Sequence, residues 1–304
     1  MRIRDIPRAD LDRYLSTGGL DLCLGPFVMR LKLAYGALRE AFADVYGACL
    51  AAPPGEEITD FHVRIDAPSR WRHWFRPQAI ADIDSPAPFV PLPARLAPLM
   101  LEQGMNWCVA TRVFNLLTFH ASVVERGGKA ILFPGRSGAG KSTLCAGLAV
   151  NGWRLFCDEF VLLDMENGEV RAYPRPISLK NRSIGLIRAM APAGAISASY
   201  PDTPKGTIAF LKPPEQSVAR DQEPAELGAF IVPVFDPGEP AAISRLSKTE
   251  ALGYMTLYSM NYDRLGAPAF TCLTDLVERR PAFALRYPDL EVAMAQVDDI
   301  HRSL

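Results

Sequence analysis

The chain has 304 residues, 49% of them hydrophobic, and 33 Lys and Arg stand against 34 Asp and Glu for a formal charge of −1. That length supports one large domain or two modest ones, and the near-zero charge argues against a nucleic-acid binder working through bulk electrostatics. No apolar run reaches membrane-spanning length, and the N-terminus, MRIRDIPRADLDRYL, is charged throughout where a secretory signal would be apolar, so the expectation is a cytoplasmic protein with no membrane partner.

Taken in chain order, residues 28–48 place apolar side chains three and four apart and predict a helix. Residues 57–65, EITDFHVRI, alternate as a strand does, and residues 72–83 have room for another strand or two. Within that stretch, RWRHWFR at 70–76 reads as a strand with alternating packed aromatics rather than a nucleic-acid contact. The proline-rich stretch SPAPFVPLPARLAP, residues 85–98, is the clearest seam. Residues 1–95 therefore form a small α+β region, and 96–304 a second domain that opens with a helix over 94–117.

The pattern then turns α/β. Strands are expected at 117–124 and 130–133, a helix at 142–150 stopped by Asn151-Gly152, and a strand at 154–157 with Asp158-Glu159 at its carboxyl end. A hairpin over 160–164 and 170–173 turns at Glu166-Asn167-Gly168, and the tail from 288 is helical. The six cysteines, at 23, 49, 108, 145, 157 and 272, include no C-x-x-C pair and read as reduced, packed thiols.

Between the second of those strands and the helix, Gly135–Ser142 fits G-x-x-x-x-G-K-[ST]. A strand that feeds a glycine loop and then a helix aims backbone N–H groups at one point, where the helix adds partial positive charge, and phosphates bind there. Gly135, Arg136, Ser137, Gly138, Ala139, Gly140, Lys141, Ser142 and Thr143 are the expected nucleotide-binding residues, Lys141 reaching the β/γ-phosphates and the Ser142 hydroxyl ligating Mg²⁺. The first acid at a strand end, Asp158, comes only 17 residues after Lys141, one helix and one strand on. The N-K-x-D of GTPases and the L-S-G-G-Q of transporter ATPases are absent. His120 ends a predicted strand 15 residues before Gly135, where it either faces the phosphates or packs as a structural histidine.

The runs HASVVERGGKAILFPGRSGAGKST and GWRLFCDE resemble the HPr kinase/phosphorylase family, most closely its HPr kinase-related branch. PEP carboxykinases show a similar series. The resemblance extends to YPRPISLKN (Tyr173–Asn181), TPKGTIAFLKPP (Thr203–Pro214) and NYDRLGAPAF (Asn261–Phe270), and so spans about residues 117–290. It implies an α/β P-loop kinase domain of the HPr kinase/PEP carboxykinase type behind a small α+β N-terminal region. It implies an ATP- and Mg²⁺-dependent kinase acting on a hydroxyl, with the serine of a peptide or protein as acceptor. Family members are hexamers, which leaves a homo-oligomer open. Three features depart from the family: Asp158-Glu159 replaces an Asp-Asp pair, Thr143 stands where an acid follows the Lys-Ser, and the signature of the reverse reaction is not visible.

Phosphoryl transfer needs positioning and charge neutralisation more than covalent chemistry. Asp158 is the first choice as base and a second metal ligand beside Ser142, with Glu159 its partner as base or outer-shell ligand. Two adjacent acids on a strand point to opposite faces unless the strand ends there. With Lys141 and His120 they make the catalytic set, and Arg175 and Lys180, in a loop stiffened by Pro174 and Pro176, are the substrate cations, unless the loop is simply basic. A small-molecule kinase of the same fold and a non-enzymatic nucleotide sensor are the competing functions.

Overall fold

The computed structural model describes residues 1–86, 88–136 and 138–304. Ser137, expected in the nucleotide-binding loop, lies outside the described residues. The chain begins with α1 (Arg8–Ser16), β1 (Leu20–Leu24), β2 (Phe27–Leu33), α2 (Gly36–Tyr46), β3 (Leu50–Ala52), β4 (Phe61–Asp66), α3 (Arg70–Trp74), β5 (Gln78–Asp82) and β6 (Leu92–Pro93). The strands form one sheet in the order β3-β1-β2-β4-β5-β6. The expected helix over 28–48 is helix α2 over 36–46, but residues 28–33 belong to β2, which lies between β1 and β4 with alternate residues buried, so pairing on both sides overrides the helical spacing there. Residues 70–76 depart further. They hold a single helical turn in which Trp71 and Trp74 are 67% and 83% exposed, because Pro68 and Pro77 bracket the segment and leave it no strand partner.

Helix α4 (Ala97–Arg112) follows the seam and lies on this first sheet through Gly104, where an added Cβ would meet Val63 and Ala81, each at 3.1 Å. One hydrophobic core then runs without a break from Leu31 and Ile65 of the first sheet, through Met105 and Val109 of α4, to Leu117, Phe119 and Leu162 beyond.

The remaining elements are β7 (Leu117–Phe119), β8 (Ala121–Arg126), β9 (Lys129–Pro134), α5 (Lys141–Val150), β10 (Arg154–Asp158), β11 (Val161–Leu163), β12 (Glu169–Arg171), β13 (Ile177–Lys180), α6 (Arg182–Met190), β14 (Tyr200–Thr203), β15 (Gly206–Leu211), α7 (Glu215–Ala219), β16 (Ala225–Phe235), β17 (Ala242–Arg245), α8 (Lys248–Tyr258), α9 (Tyr262–Leu265), α10 (Ala267–Arg279), β18 (Ala282–Tyr287) and α11 (Leu290–Arg302). A nine-stranded mixed sheet takes the order β10-β8-β9-β16-β12-β11-β7, with β18 and β17 added beside β16, and β13-β15-β14 form a third, small sheet. The protein is thus a mixed α/β structure with several sheets. A second core, built on Leu144 and Leu148 of α5, Leu179 and Val297, fills the space between α5, α11 and the small sheet. All six cysteines are free, five of them buried. Among the described residues no helix is long and apolar enough to cross a membrane.

Two features of the large sheet bring chemically active side chains to one edge. Strands β9, β16 and β18 run parallel, so their carboxyl ends share that edge. Strand β10 reaches it too, because it is antiparallel to β8, which is antiparallel to β9.

The close approach at Gly104 gives a test of how α4 is held. Gly104→Val should cost about 1–3 kcal/mol, the usual penalty for overpacking, read as a fall in urea midpoint at unchanged m-value. A neutral or stabilising result would mean that α4 does not press on β4 and β5.

Candidate functional site

Strand β9 ends at Pro134, and α5 begins at Lys141 with Gly140 as its N-cap. Gly138 and Gly140 take φ of 85° and 91°, a region open to glycine and costly for other residues. Gly140 also has no room for a side chain: a Cβ there would lie 2.1 Å from the Tyr287 hydroxyl at the end of β18. Among the described residues no side chain caps α5, so its first-turn N–H groups lack the usual partner at the cavity. Lys141 is buried and its Nζ donates back to the loop carbonyls of Gly135 and Arg136, the latter at 3.1 Å.

The acids arrive from β10. Asp158 stands opposite Ser122 of β8 in the strand register, and the Ser122 hydroxyl donates to its Oδ1 at 2.5 Å. Ser142, at the start of α5, lines the same cavity and lies near enough to lower the same carboxylate's pKa. The strand ends there. Glu159 takes φ 89°, and its N–H donates to the Ala121 carbonyl at 3.0 Å. That turn brings both acids onto one cavity, although adjacent strand residues would face apart.

The chain breaks at the same level on the neighbouring strand. The expected strand over 117–124 is two, β7 and β8, separated at His120, whose N–H donates to the Tyr258 carbonyl at 2.8 Å. β8 pairs with β10 and β7 with β11, so the two chains change partners together at His120 and Glu159. His120 lines the cavity and is half-buried.

The electrostatics follow from burial. It raises Asp158 above the ordinary carboxylate range; the Ser122 hydroxyl opposes this, the Glu159 charge adds to it, and Ser142 and Lys180 oppose it. Burial lowers the Lys141 ammonium, with Asp158 acting against it. Burial, then Lys141, lowers the His120 imidazole, which favours its neutral form.

The two expected substrate cations differ in kind. Lys180, at the end of β13, is half-buried, lines the cavity and acts on Asp158, Lys141 and His120, and among the described residues no acid pairs with its Nζ. Arg175 also lines the cavity, but its side chain is 5% exposed and its guanidinium is taken up by Glu102 and Asn106 of α4. Its charge is committed inside the protein, so it is not the free cation the sequence led one to expect. Ser122, Asn106 and Tyr287 are side chains the sequence did not single out. Ser122 was within reach of local reasoning, two residues after His120 on the same face of the chain. Asn106 and Tyr287 come from distant elements and carry no local signal.

Ser122 apart, these groups line one cavity of about 680 Å³. Its apolar lining includes Tyr287, Phe235 and Leu290, Leu96 and Leu99 from the seam and α4, and Leu186 and Phe210. Among the described residues no group of three or more His, Cys, Asp and Glu gathers as an all-protein metal site would require.

A family model described as SynChlorMet cassette protein ScmC matches residues 97–220. That span contains α4, the glycine loop, both acids, Arg175 and Lys180. Among solved structures, the chain is similar to the Hpr(Ser) kinase/phosphatase from Coxiella burnetii, at 14% identity and a TM-score of 0.30, over 61% of this chain and 94% of that one. No curated protein matches the chain.

The loop glycines should respond unequally to substitution. Gly138→Ala meets open space and should cost only the backbone penalty, about 1–2 kcal/mol. Gly140→Ala adds a clash with Tyr287 and should cost more, part of the excess returning in a Tyr287→Phe background, where the nearest remaining ring atom is 3.3 Å away. Equal losses in thermal unfolding would contradict the packing of Tyr287 on the loop.

Proposed function

We propose that the protein is an ATP- and Mg²⁺-dependent kinase that transfers the γ-phosphoryl group to a hydroxyl, with the serine of a peptide or protein as the acceptor class. The observation that carries this reading is the convergence, in one cavity, of the start of α5, the buried Lys141, Ser142, and the two carboxylates Asp158 and Glu159. Each element answers a need of phosphoryl transfer. The first-turn N–H groups bind phosphate oxygens. Lys141, which now spends its charge on two neutral carbonyls, gains a stronger partner in a β/γ-phosphate.

Ser142 and Asp158 are hard oxygen donors, the kind Mg²⁺ prefers. Two protein oxygens suit an ion that keeps waters and takes phosphate oxygens as its other ligands. When bound, Mg²⁺ supplies charge neutralisation at the phosphates. The acceptor oxygen then attacks the γ-phosphorus, the bond from that phosphorus to the β–γ bridging oxygen breaks, and ADP leaves. The acceptor's proton passes to a carboxylate, with Asp158 the first candidate and Glu159 its partner beside the cavity. Lys180, with no acid on its Nζ among the described residues, is the cation for the acceptor or its phosphate.

A second reading, a small-molecule kinase of the same fold, has its own support. The cavity volume is within the 300–1,000 Å³ usual for small-ligand sites, and the seam and α4 wall it on one side.

Mass spectrometry of candidate peptides and small hydroxyl compounds incubated with protein, ATP and Mg²⁺ tests both readings, one acceptor gaining one phosphoryl mass. Lys141→Ala should lose ATP affinity while staying folded. Asp158→Asn should keep ATP affinity and lose about 10²–10⁴ in transfer, the range of a general base. Lys180→Glu should raise the acceptor's KM without changing ATP affinity. Nucleotide-dependent partner binding with no mass gain on any acceptor would make the protein a nucleotide sensor instead.

A further inference from the structure

A chain of side chains runs from α2 through α4 into the site, and chemistry fixes its direction. Tyr46 of α2 is fully buried, and burial pushes its phenol well up, so it stays protonated and donates to Glu102 Oε1. Glu102 Oε2 accepts from Arg175 Nη2. The next guanidinium nitrogen, Nη1, donates to Asn106 Oδ1. Arginine has no acceptor, so the Asn106 carbonyl oxygen must face it and the amide NH₂ must face the other way. There Nδ2 donates to Glu159 Oε2 at 2.8 Å. No alternative orientation of the amide satisfies both neighbours.

The last member is held at both ends. The Glu159 backbone is pinned at positive φ by the Ala121 carbonyl, and its carboxylate is pinned by Asn106. A residue kept in a costly backbone conformation beside a cavity marks a position over-determined by its surroundings. Arg175 thus acts at one remove: paired with Glu102, it orients the amide that orients the carboxylate.

We propose that Asn106 is a positioning residue that sets the Glu159 carboxylate in the cavity, and that through it the buried Glu102–Arg175 pair and Tyr46 make helices α2 and α4 a working part of the site. The proposal deepens the kinase reading and depends on it for what Glu159 is positioned to do. It does not depend on whether Glu159 takes a proton or orders the metal's outer ligands.

Asn106→Asp separates this role from simple service to Arg175. Aspartate still accepts from Arg175, and more strongly, but it has no proton to give Glu159. ATP turnover in the presence of Mg²⁺ should fall about 10–100-fold in Asn106→Asp, as for residues that hold a ligand from behind, while ATP affinity stays within about threefold of the parent and the melting temperature does not fall as it does in Asn106→Ala. In a Glu159→Ala background, Asn106→Asp should change turnover no further. Unchanged turnover in Asn106→Asp, or the same loss in both backgrounds, would overturn the proposal while leaving the kinase reading standing. Thermal unfolding closes a second cycle that needs no activity. Asn106→Ala and Glu159→Ala should be non-additive, and additive effects would equally overturn the coupling. Absence of any turnover or transfer by the parent protein would count against the kinase reading alone.

Discussion

At Glu159 the backbone takes φ 89°, a conformation that costs a residue with a side chain about 1–2 kcal/mol. It is held there because β10 and β11 exchange partners at this point, at the same level as β7 and β8 do at His120. Straight strands would send Asp158 and Glu159 to opposite faces of the sheet and bury His120 in a ladder. The paired break turns both acids and the imidazole toward the loop between β9 and α5. The other features of the site depend on that geometry: Asp158 meeting Ser122 and Ser142, Lys141 sharing its cavity with two carboxylates, and Asn106 finding Glu159 within reach.

A site of this kind concentrates like charges, and the surroundings set how much of that is tolerated. Burial raises Asp158 and lowers Lys141, so each charge is more costly alone than in the presence of the other. The continuous core under the first sheet, α4 and the large sheet backs the elements that carry these groups. The N-terminal region is therefore more than a preface. It supplies Leu92 to the cavity lining, and it meets the segment between α7 and β16 at Gly25, whose N–H donates to Asp221 at 2.9 Å.

What the sequence made legible was local. The strand, glycine loop and helix around Lys141, the strand ending at Asp158, the hairpin of β11 and β12 and the C-terminal helix all announce themselves through short-range pattern and turn residues. Strand β2 was hidden because its apolar residues also fit a helical spacing, and only its two partners decide the matter. The aromatics of α3 looked like a packed strand because hydrophobicity alone does not say what covers a side chain, and among the described residues nothing covers Trp74. The pairing of Arg175 was hidden for a related reason. A basic residue between prolines looks exposed, and its partners Glu102 and Asn106 lie about seventy residues earlier in the chain, on a helix with no local mark of that role.

The most direct test of the kinase mechanism is a structure of the protein with Mg²⁺ and a non-hydrolysable ATP analogue. The mechanism predicts the β- and γ-phosphates on the N–H groups at the start of α5, Lys141 turned from the carbonyls of Gly135 and Arg136 onto them, and Asp158 and Glu159 both facing the γ-phosphate. A nucleotide bound elsewhere, or seated on the loop with Lys141 unmoved and both acids turned from the phosphate, would contradict it.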